Sequence, residues 1–276
     1  MNEPENIWGK LSDISIARIQ NFEPPDGYYI AFSGGKDSVV ILDLVKRAKV
    51  KFDAHYNLTT VDPPELVKFI RDQHPEVHIS YPEISMWGLI VKKRMPPTRV
   101  VRYCCGYLKE RGGGSDRLVM TGIRAQESNK RSKRGMVEIC RRDHSKRYLH
   151  PIIDWSIGNV WSYIKFNNLS YCKLYDEGFK RLGCIMCPLQ TTKQMIRDGE
   201  RWPKYREAYI RAFQRCIDKR NIDGLKVTSG FSKWETGEEM MKWWLNQKES
   251  DKNKIINDKE GGFSIFCLLN EEENDQ

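Results

Sequence analysis

Two groups of residues in this 276-residue chain have types and spacing suited to chemistry. The first is Ser33-Gly34-Gly35-Lys36-Asp37-Ser38, which follows the apolar stretch Tyr29-Ile30-Ala31-Phe32 and opens a helical pattern. Consecutive glycines let backbone approach an anion closely, and the start of the next helix offers unpaired N–H groups and the positive end of its dipole. Lys36 adds a mobile positive charge and Ser33 and Ser38 add hydroxyl donors, so the segment reads as a phosphate cradle. Its spacing differs from the G-x-x-x-x-G-K-[ST] loop, whose glycines lie farther apart. The plainer alternative is a strand-to-helix turn capped by Ser33 or Asp37.

The second group is the pair Cys104 and Cys105 with the later Gly183-Cys184-Ile185-Met186-Cys187-Pro188. A C-x-x-C turn aims two thiolates at one metal centre, and two more cysteines complete four-thiolate ligation. Adjacent cysteines point in different directions, which favours an iron-sulfur cluster over a zinc knuckle or a set of reduced structural thiols. Cys140, Cys172, Cys216 and Cys267 are assigned to packing, although the arginines beside Cys140 are of the kind that lower a thiol pKa.

The elements that must position these groups alternate. Tyr28–Phe32, Phe52–Leu58, Val77–Tyr81, Leu118–Ile123 and Tyr148–Ile152 read as five strands. Ser38–Lys49 reads as a helix with Val40, Ile41, Leu44 and Val45 on one face. A second helix starts at Asp62-Pro63-Pro64-Glu65, with Asp62 as N-cap and Glu65 closing a capping box, and runs to about His74. Asp62 has a second reading as a magnesium or ribose ligand at its strand end. Ser156 caps a further helix that carries Ile157, Val160, Trp161 and Ile164. The fold class is therefore α/β, a doubly wound parallel sheet of about five strands with its ligand at the carboxyl ends, followed by a helical C-terminal appendage. The organisation expected is an extension over 1–24, a nucleotide-binding domain with the cysteines over 25–188 and a helical region over 189–276. In that last region Pro203–Asp218 places Tyr209, Phe213 and Ile217 on one face, Glu238–Gln247 carries Trp243 and Trp244, and Glu249–Lys259 reads as a polar loop.

Composition narrows the function classes. No apolar run is long enough to span a bilayer and Met1–Lys10 lacks a signal-peptide pattern, so a cytoplasmic protein with reduced cysteines and no membrane partner is expected. A net charge of +9 favours an anionic partner such as nucleic acid. Much of the excess lies in Arg124, Lys130, Arg131, Lys133, Arg134, Arg141, Arg142, Lys146 and Arg147, against Glu127, Glu138 and Asp143. A solvated surface face is the structural alternative for that stretch.

The order Ser33-Gly34-Gly35-Lys36-Asp37-Ser38 resembles the PP-loop of ATP pyrophosphatases, which implies that these six residues hold the pyrophosphate leaving from ATP. Together with Cys104-Cys105 and the later C-x-x-C it resembles the phosphoadenosine phosphosulfate reductase family, notably the adenylyl-sulfate reductases. The likeness covers roughly Tyr28–Pro188, through Thr121-Gly122-Ile123-Arg124-Ala125-Gln126-Glu127-Ser128, Arg131, Pro151-Ile152-Ile153-Asp154-Trp155 and Leu174-Tyr175-Asp176-Glu177-Gly178-Phe179. It implies a [4Fe-4S] cluster on Cys104, Cys105, Cys184 and Cys187, places Arg124 and Arg131 near a substrate phosphate or sulfate, and puts Gly122 at the nucleotide.

Two departures shift the expected reaction. The reductases carry a Glu-Cys-Gly-[Leu/Ile]-His tail that this sequence lacks, and their phosphate loop is generally altered, whereas Lys36 and Asp37 stand intact here. The expectation is an ATP pyrophosphatase that uses ATP and Mg2+ to adenylate an oxygen of a nucleic acid, DNA or tRNA, for sulfur insertion. Its functional analogue is the ATP-pyrophosphatase component of DNA phosphorothioation systems, which implies a cysteine desulfurase or other sulfur donor and further subunits of a modification complex as partners. The alternatives are an adenylyl-sulfate or phosphoadenylyl-sulfate reductase releasing sulfite, with Cys140 or Cys267 as nucleophile, a tRNA-thiolating enzyme, and a non-catalytic ATP-binding subunit.

Overall fold

A computed structural model describes residues 5–110, 112–113, 117–139, 145–224 and 234–246. In chain order the elements are α1 (Glu5–Asn21), β1 (Tyr28–Ala31), α2 (Lys36–Ala48), β2 (Phe52–Asn57), α3 (Pro64–Gln73), β3 (Val77–Ser80), α4 (Met86–Lys92), α5 (Tyr103–Leu108), β4 (Leu118–Met120), β5 (Val137–Ile139), β6 (Arg147–Leu149), α6 (Ile157–Phe166), α7 (Thr192–Arg201), α8 (Pro203–Ile222) and α9 (Gly237–Leu245). They fall into two compact units, one of residues 1–58, 62–81 and 110–183 and one of residues 59–61, 82–109 and 184–276. No described helix is long and apolar enough to cross a membrane. Cys140, Arg141, Arg142, Asp143, Cys267 and the stretch Glu249–Lys259 lie outside the described residues.

The first unit is built on a six-stranded sheet of order β3-β2-β1-β4-β6-β5. Every pairing is parallel except β5 with β6. The five expected strands all form, each a residue or more shorter than the hydrophobic pattern suggests. The sixth, β5, escaped the sequence pattern because Val137 and Ile139 are exposed and only three residues pair. From β1 the chain steps outward through β2 to β3 and later returns to β4 on the other side of β1. The carboxyl ends of β1 and β4 therefore flank the point where strand order reverses, the place where open α/β sheets bind ligands.

Helix α2 leaves that point directly. Val39, Val40, Ile41, Leu42, Leu44 and Val45 are all buried, and each such side chain contributes about 1.5–3 kcal/mol of burial. Helix α1 packs on α2 and α6 and is tied down at the turn after β6. Ser15 Oγ and Arg18 Nη1 donate to Pro151 O, both Arg18 terminal nitrogens reach the Asp154 carboxylate at 2.8 Å, and Trp155 Nε1 donates to Ser15 Oγ. That hydrogen-bonded pair holds the Asp154 carboxyl below its ordinary range. The Pro151–Trp155 motif thus has a structural use, anchoring α1.

Two cap assignments need correction. Helix α3 starts one residue later than expected, with Pro63 as N-cap and no side-chain cap, so Asp62 is not its capping residue and no Glu65 box forms. Helix α2 has Gly35 as N-cap, also without a side-chain cap, so neither Ser33 nor Asp37 fills that role. Ser156 does cap α6, accepting from Asn159 N, and Val160 and Ile164 are buried while Ile157 is exposed.

Gly34 is required twice over. Its φ is +67°, and an added Cβ would lie 2.6 Å from Leu66 Cδ1 and 2.8 Å from Ile70 Cδ1 of α3. Gly34→Ala is expected to cost about 2 kcal/mol from the left-handed backbone and the overpacking together, read as a lower urea midpoint. Gly35→Ala serves as the comparison, because Gly35 is extended with φ −79° and is expected to lose less.

The second unit is helical. Residues 82–109, to which the sequence pattern assigned no element, supply α4 and α5, and the later segment supplies α7, α8 and α9. Helix α8 packs on α4 and α9, with Tyr209, Phe213 and Ile217 buried as their spacing predicts. Trp244 is buried against Tyr209 and Phe213 and donates from Nε1 to Pro97 O at 2.6 Å. Cys216 is fully buried there, and burial pushes its thiol up to about 12, in keeping with a packing role.

Candidate functional site

The loop between β1 and α2 brings three of the expected residues together. Lys36 is buried, with Nζ 3.2 Å from Asp37 Oδ2. Arg124, after β4, donates from Nε to Asp37 Oδ1 at 2.6 Å and from Nη1 to Trp155 O at 3.3 Å. Asp37 thus stands between two cations at the start of α2. Gly122 lets this happen: a Cβ there would lie 2.9 Å from the Asp37 carbonyl carbon and oxygen. Its use in the structure is close backbone approach.

The two serines behave differently from expectation. Ser33 Oγ donates to Ser38 Oγ at 3.1 Å, and Ser38 Oγ donates to Gly35 O at 2.9 Å while accepting from Ser33 N. Both hydroxyl protons are spent inside the loop, so these residues shape the cradle and do not donate to an anion in this arrangement. A hydroxyl from elsewhere reaches the loop instead. Lys36 N donates to Tyr175 Oη at 3.0 Å, and Lys36 Nζ lies 5.5 Å from the centroid of that ring.

Arg131 is not brought to this group; its guanidinium pairs with Glu127. Glu127 also accepts from Arg124 N at 3.0 Å, so the carboxylate organises the turn through Ala125–Glu127. The basic stretch is consequently not one uniform surface. Arg124 is buried, whereas Lys130, Lys133 and Arg134 are exposed. Asp62 is buried in the segment that leads into α3.

Beside Gly122, Thr121 Oγ1 lies 2.8 Å from His150 Nδ1, and His150 Nε2 lies 3.4 Å from Glu138 Oε2. His150 is fully buried, and burial lowers its pKa; burial does the same to His74, packed between Phe32 and Phe69 with Glu76 Oε1 3.8 Å away. The unfolded chain, with histidine near 6.5, binds more protons than the folded one below that value. Stability is therefore expected to be fully present above about pH 6.5 and to fall as pH drops below it. Thermal melts at pH 7.5 and 5.5 check the sign, and His74→Leu is expected to flatten the dependence.

The four expected cysteine ligands all belong to the helical unit. Cys104 and Cys184 are buried, and Cys105 and Cys187 are half-buried. A hydrogen bond with Cys105, burial, and the charges of Cys105, Cys184 and Cys187 all raise the Cys104 pKa. Burial and the neighbouring Cys184 push Cys187 up to about 11, with Lys109 opposing. Cys104 and Cys187 thus sense the thiols beside them, and both are held in the neutral form. Among the described residues no three His, Cys, Asp or Glu side chains are placed as a metal-binding group.

The Cys184–Cys187 turn is fixed by buried partners. Met186 has φ +55°, and its N–H donates at 2.9 Å to the buried Asp198 carboxylate of α7. Ile185 N donates to Val61 O, and Tyr209 Oη donates to Ile185 O. Burial raises the Asp198 pKa. Asp198 was not singled out in the sequence, yet its signal is there: it shares the buried face of α7 with Met195 and Gly199, where a carboxylate requires a donor.

The phosphoadenosine phosphosulfate reductase domain family matches residues 27–190. An adenosine 5'-phosphosulfate reductase of Oceanobacillus iheyensis is 30% identical over 192 residues, 62% of this chain and 75% of that protein. An uncharacterized protein of Methanocaldococcus jannaschii is 30% identical over 220 residues, 75% of this chain and 45% of that protein. A second from the same organism is 26% identical over 245 residues, and the chain covers 55% of it. The chain thus spans about half the length of these two relatives. Among solved structures, a phosphoadenylyl-sulfate reductase from Candida auris aligns with 67% of this chain and 97% of its own at 19% identity and a TM-score of 0.47.

Proposed function

We propose, for a chain that belongs to the phosphoadenosine phosphosulfate reductase domain family, that it cleaves ATP between the α and β phosphates and adenylates an oxygen of a nucleic acid for replacement by sulfur. The observation that carries this reading is the intact Lys36–Asp37–Arg124 group at the start of α2, where the strand order of the sheet reverses. A helix N-terminus with a buried lysine suits a leaving pyrophosphate.

In this reading the acceptor oxygen forms a bond to the α-phosphorus, the α–β bridge breaks, and its electron pair leaves on pyrophosphate. Lys36 Nζ and the amides of Gly34, Asp37 and Ser38 bind that pyrophosphate, and Arg124 holds Asp37 in place. Magnesium bound by Asp37, with Asp62 as the second carboxylate, would neutralise charge on the phosphates as it transfers. A sulfur at the oxidation level of hydrosulfide then displaces AMP. The exposed Lys130, Lys133 and Arg134 suit a polyanionic acceptor, with Arg131 at their edge. DNA phosphorothioation is the finer form of the proposal, with a backbone phosphate oxygen as the acceptor and a cysteine desulfurase as the sulfur source, its persulfide reduced to hydrosulfide by an external dithiol that leaves as the disulfide.

Cys104, Cys105, Cys184 and Cys187 are the residues that would hold a [4Fe-4S] cluster once drawn together, since as placed no three of them form a metal-binding group; a four-thiol donor set suits zinc as well. Bound there, the cluster would supply a site for carrying sulfur.

A second reading is supported by the reductases among the relatives: release of sulfite from adenylyl sulfate with an external dithiol as reductant. Product analysis separates the two. Anaerobically prepared full chain is given magnesium, a dithiol, DNA or tRNA, and either ATP or adenylyl sulfate. AMP with pyrophosphate from ATP supports the adenylating enzyme, whereas AMP with sulfite from adenylyl sulfate overturns it in favour of the reductase.

A further inference from the structure

The phosphate loop lacks a free hydroxyl of its own, because Ser33 and Ser38 spend theirs on each other and on Gly35 O. Tyr175 stands where such a donor is missing. It ends the 3-10 turn Lys173–Tyr175, which is anchored by the buried Cys172 and Leu174. Its ring meets Trp161 of α6 edge-on at 5.1 Å and Tyr171 at 6.4 Å, and Tyr171 Oη is fixed on Asp176. The Tyr175 hydroxyl has its acceptor side filled by Lys36 N, the first amide of α2, and a Cβ on Gly35 would lie 3.4 Å from it. Among the described residues nothing accepts its O–H proton. Burial raises its pKa, so the proton stays on the oxygen at neutral pH.

We propose that Tyr175 is a binding residue of the phosphate loop, whose hydroxyl accepts from Lys36 N and donates to an oxygen of the pyrophosphate held there. The proposal rests on the reading of the loop as a pyrophosphate cradle. The chain Lys36 N–H to Oη–H to phosphate passes the polarity of the helix start to the ligand, since a hydroxyl that accepts a hydrogen bond becomes a better donor. The rigid aromatic neighbours hold the oxygen in place before ligand arrives, which lowers the ordering cost of binding. The ring also sits beside Lys36 Nζ, so both groups address the same anion.

Calorimetric titration of the full chain with inorganic pyrophosphate, and separately with AMP, tests this. Tyr175→Phe is expected to weaken pyrophosphate by about tenfold or more, the value of a hydrogen bond to a charged group, while leaving AMP affinity unchanged. Lys36→Ala reports on the cradle itself. If wild-type protein does not bind pyrophosphate, the cradle reading fails and the role of Tyr175 with it. If wild type binds, Lys36→Ala loses binding and Tyr175→Phe binds equally or more tightly, the cradle stands and the tyrosine inference alone is overturned. Equal loss of AMP and pyrophosphate in Tyr175→Phe also overturns it, because that is the mark of a purely structural ring. Tyr175→His, which keeps a ring and a donor, carries the question should the phenylalanine variant not fold: affinity within about threefold of wild type supports the donor role, and a tenfold loss refutes it.

Discussion

Lys36→Ala is expected to lower formation of AMP and pyrophosphate from ATP by about 10²–10³-fold, the usual consequence of removing one preorganised charge from a site of developing negative charge. The lysine side chain is only 4% exposed, so its ammonium acts where water screens little. Stability should change far less than rate. Asp37 keeps its hydrogen bond from Arg124 when Lys36 is gone, so no unpaired carboxylate is left behind. The alanine variant is therefore expected to melt within a few degrees of wild type while its turnover collapses. Quenched reactions analysed for AMP, run beside a thermal melt, separate the two effects. Unchanged AMP formation in a folded variant would remove Lys36 from the reaction.

The phosphate loop was legible in the sequence because every property that makes it a cradle is local. A strand, two glycines, a lysine and a helix start lie within ten residues, and the structure joins β1 to α2 through that glycine turn, with the helix starting at Lys36 and not at Ser38. The parallel sheet was legible for the same reason, since Tyr28–Ala31 is a short apolar run, Phe52–Asn57 alternates apolar and polar residues, and an amphipathic helix separates them. What could not be read was anything decided by residues far apart in the chain. The inward turn of Arg124 onto Asp37 spans 87 positions, and the hydroxyl that reaches Lys36 comes from 139 positions away. Ser33 and Ser38 were expected to serve a ligand because their types allow it. Their actual bonds follow from the tight curvature of the loop, which places the two oxygens 3.1 Å apart.

The helical unit shows the same division. Helices α8 and α9 were read from their apolar residues, α8 through the face of Tyr209, Phe213 and Ile217, whereas α7 was not singled out. Residues 82–109 gave no clear period, because α4 and α5 are only 7 and 6 residues long. Asp62 was misassigned as a cap through a motif that was chemically sound; two successive prolines let the helix begin at Pro64 instead, with Pro63 outside it in extended backbone. The sequence reading put Cys104, Cys105, Cys184 and Cys187 with the nucleotide-binding domain, and in the structure they belong to the helical unit. Which buried groups steady their turn, Asp198 and Tyr209, depends on α7 and α8 folding back beside it.

Arg124→Ala is expected to destabilise the first unit by about 3 kcal/mol, because it leaves Asp37 Oδ1 and the Trp155 carbonyl without their donor while Lys36 reaches only Asp37 Oδ2. The side chains of Arg124 and Asp37 are 4% and 18% exposed, so solvent recovers only a small part of the loss. The guanidinium has a second use: its other nitrogen donates to Trp155 O, in the turn whose Asp154 anchors α1 through Arg18. One side chain therefore joins the loop after β4, the start of α2 and the turn after β6. Lysine at this position cannot make both contacts, since a single ammonium lacks the planar fork, and Arg124→Lys should recover less than half of the lost stability. Urea unfolding of the three proteins checks the order wild type, lysine, alanine. An alanine variant as stable as wild type would mean that Asp37 is held by Lys36 alone, and the assignment of Arg124 as its positioning partner would have to be dropped.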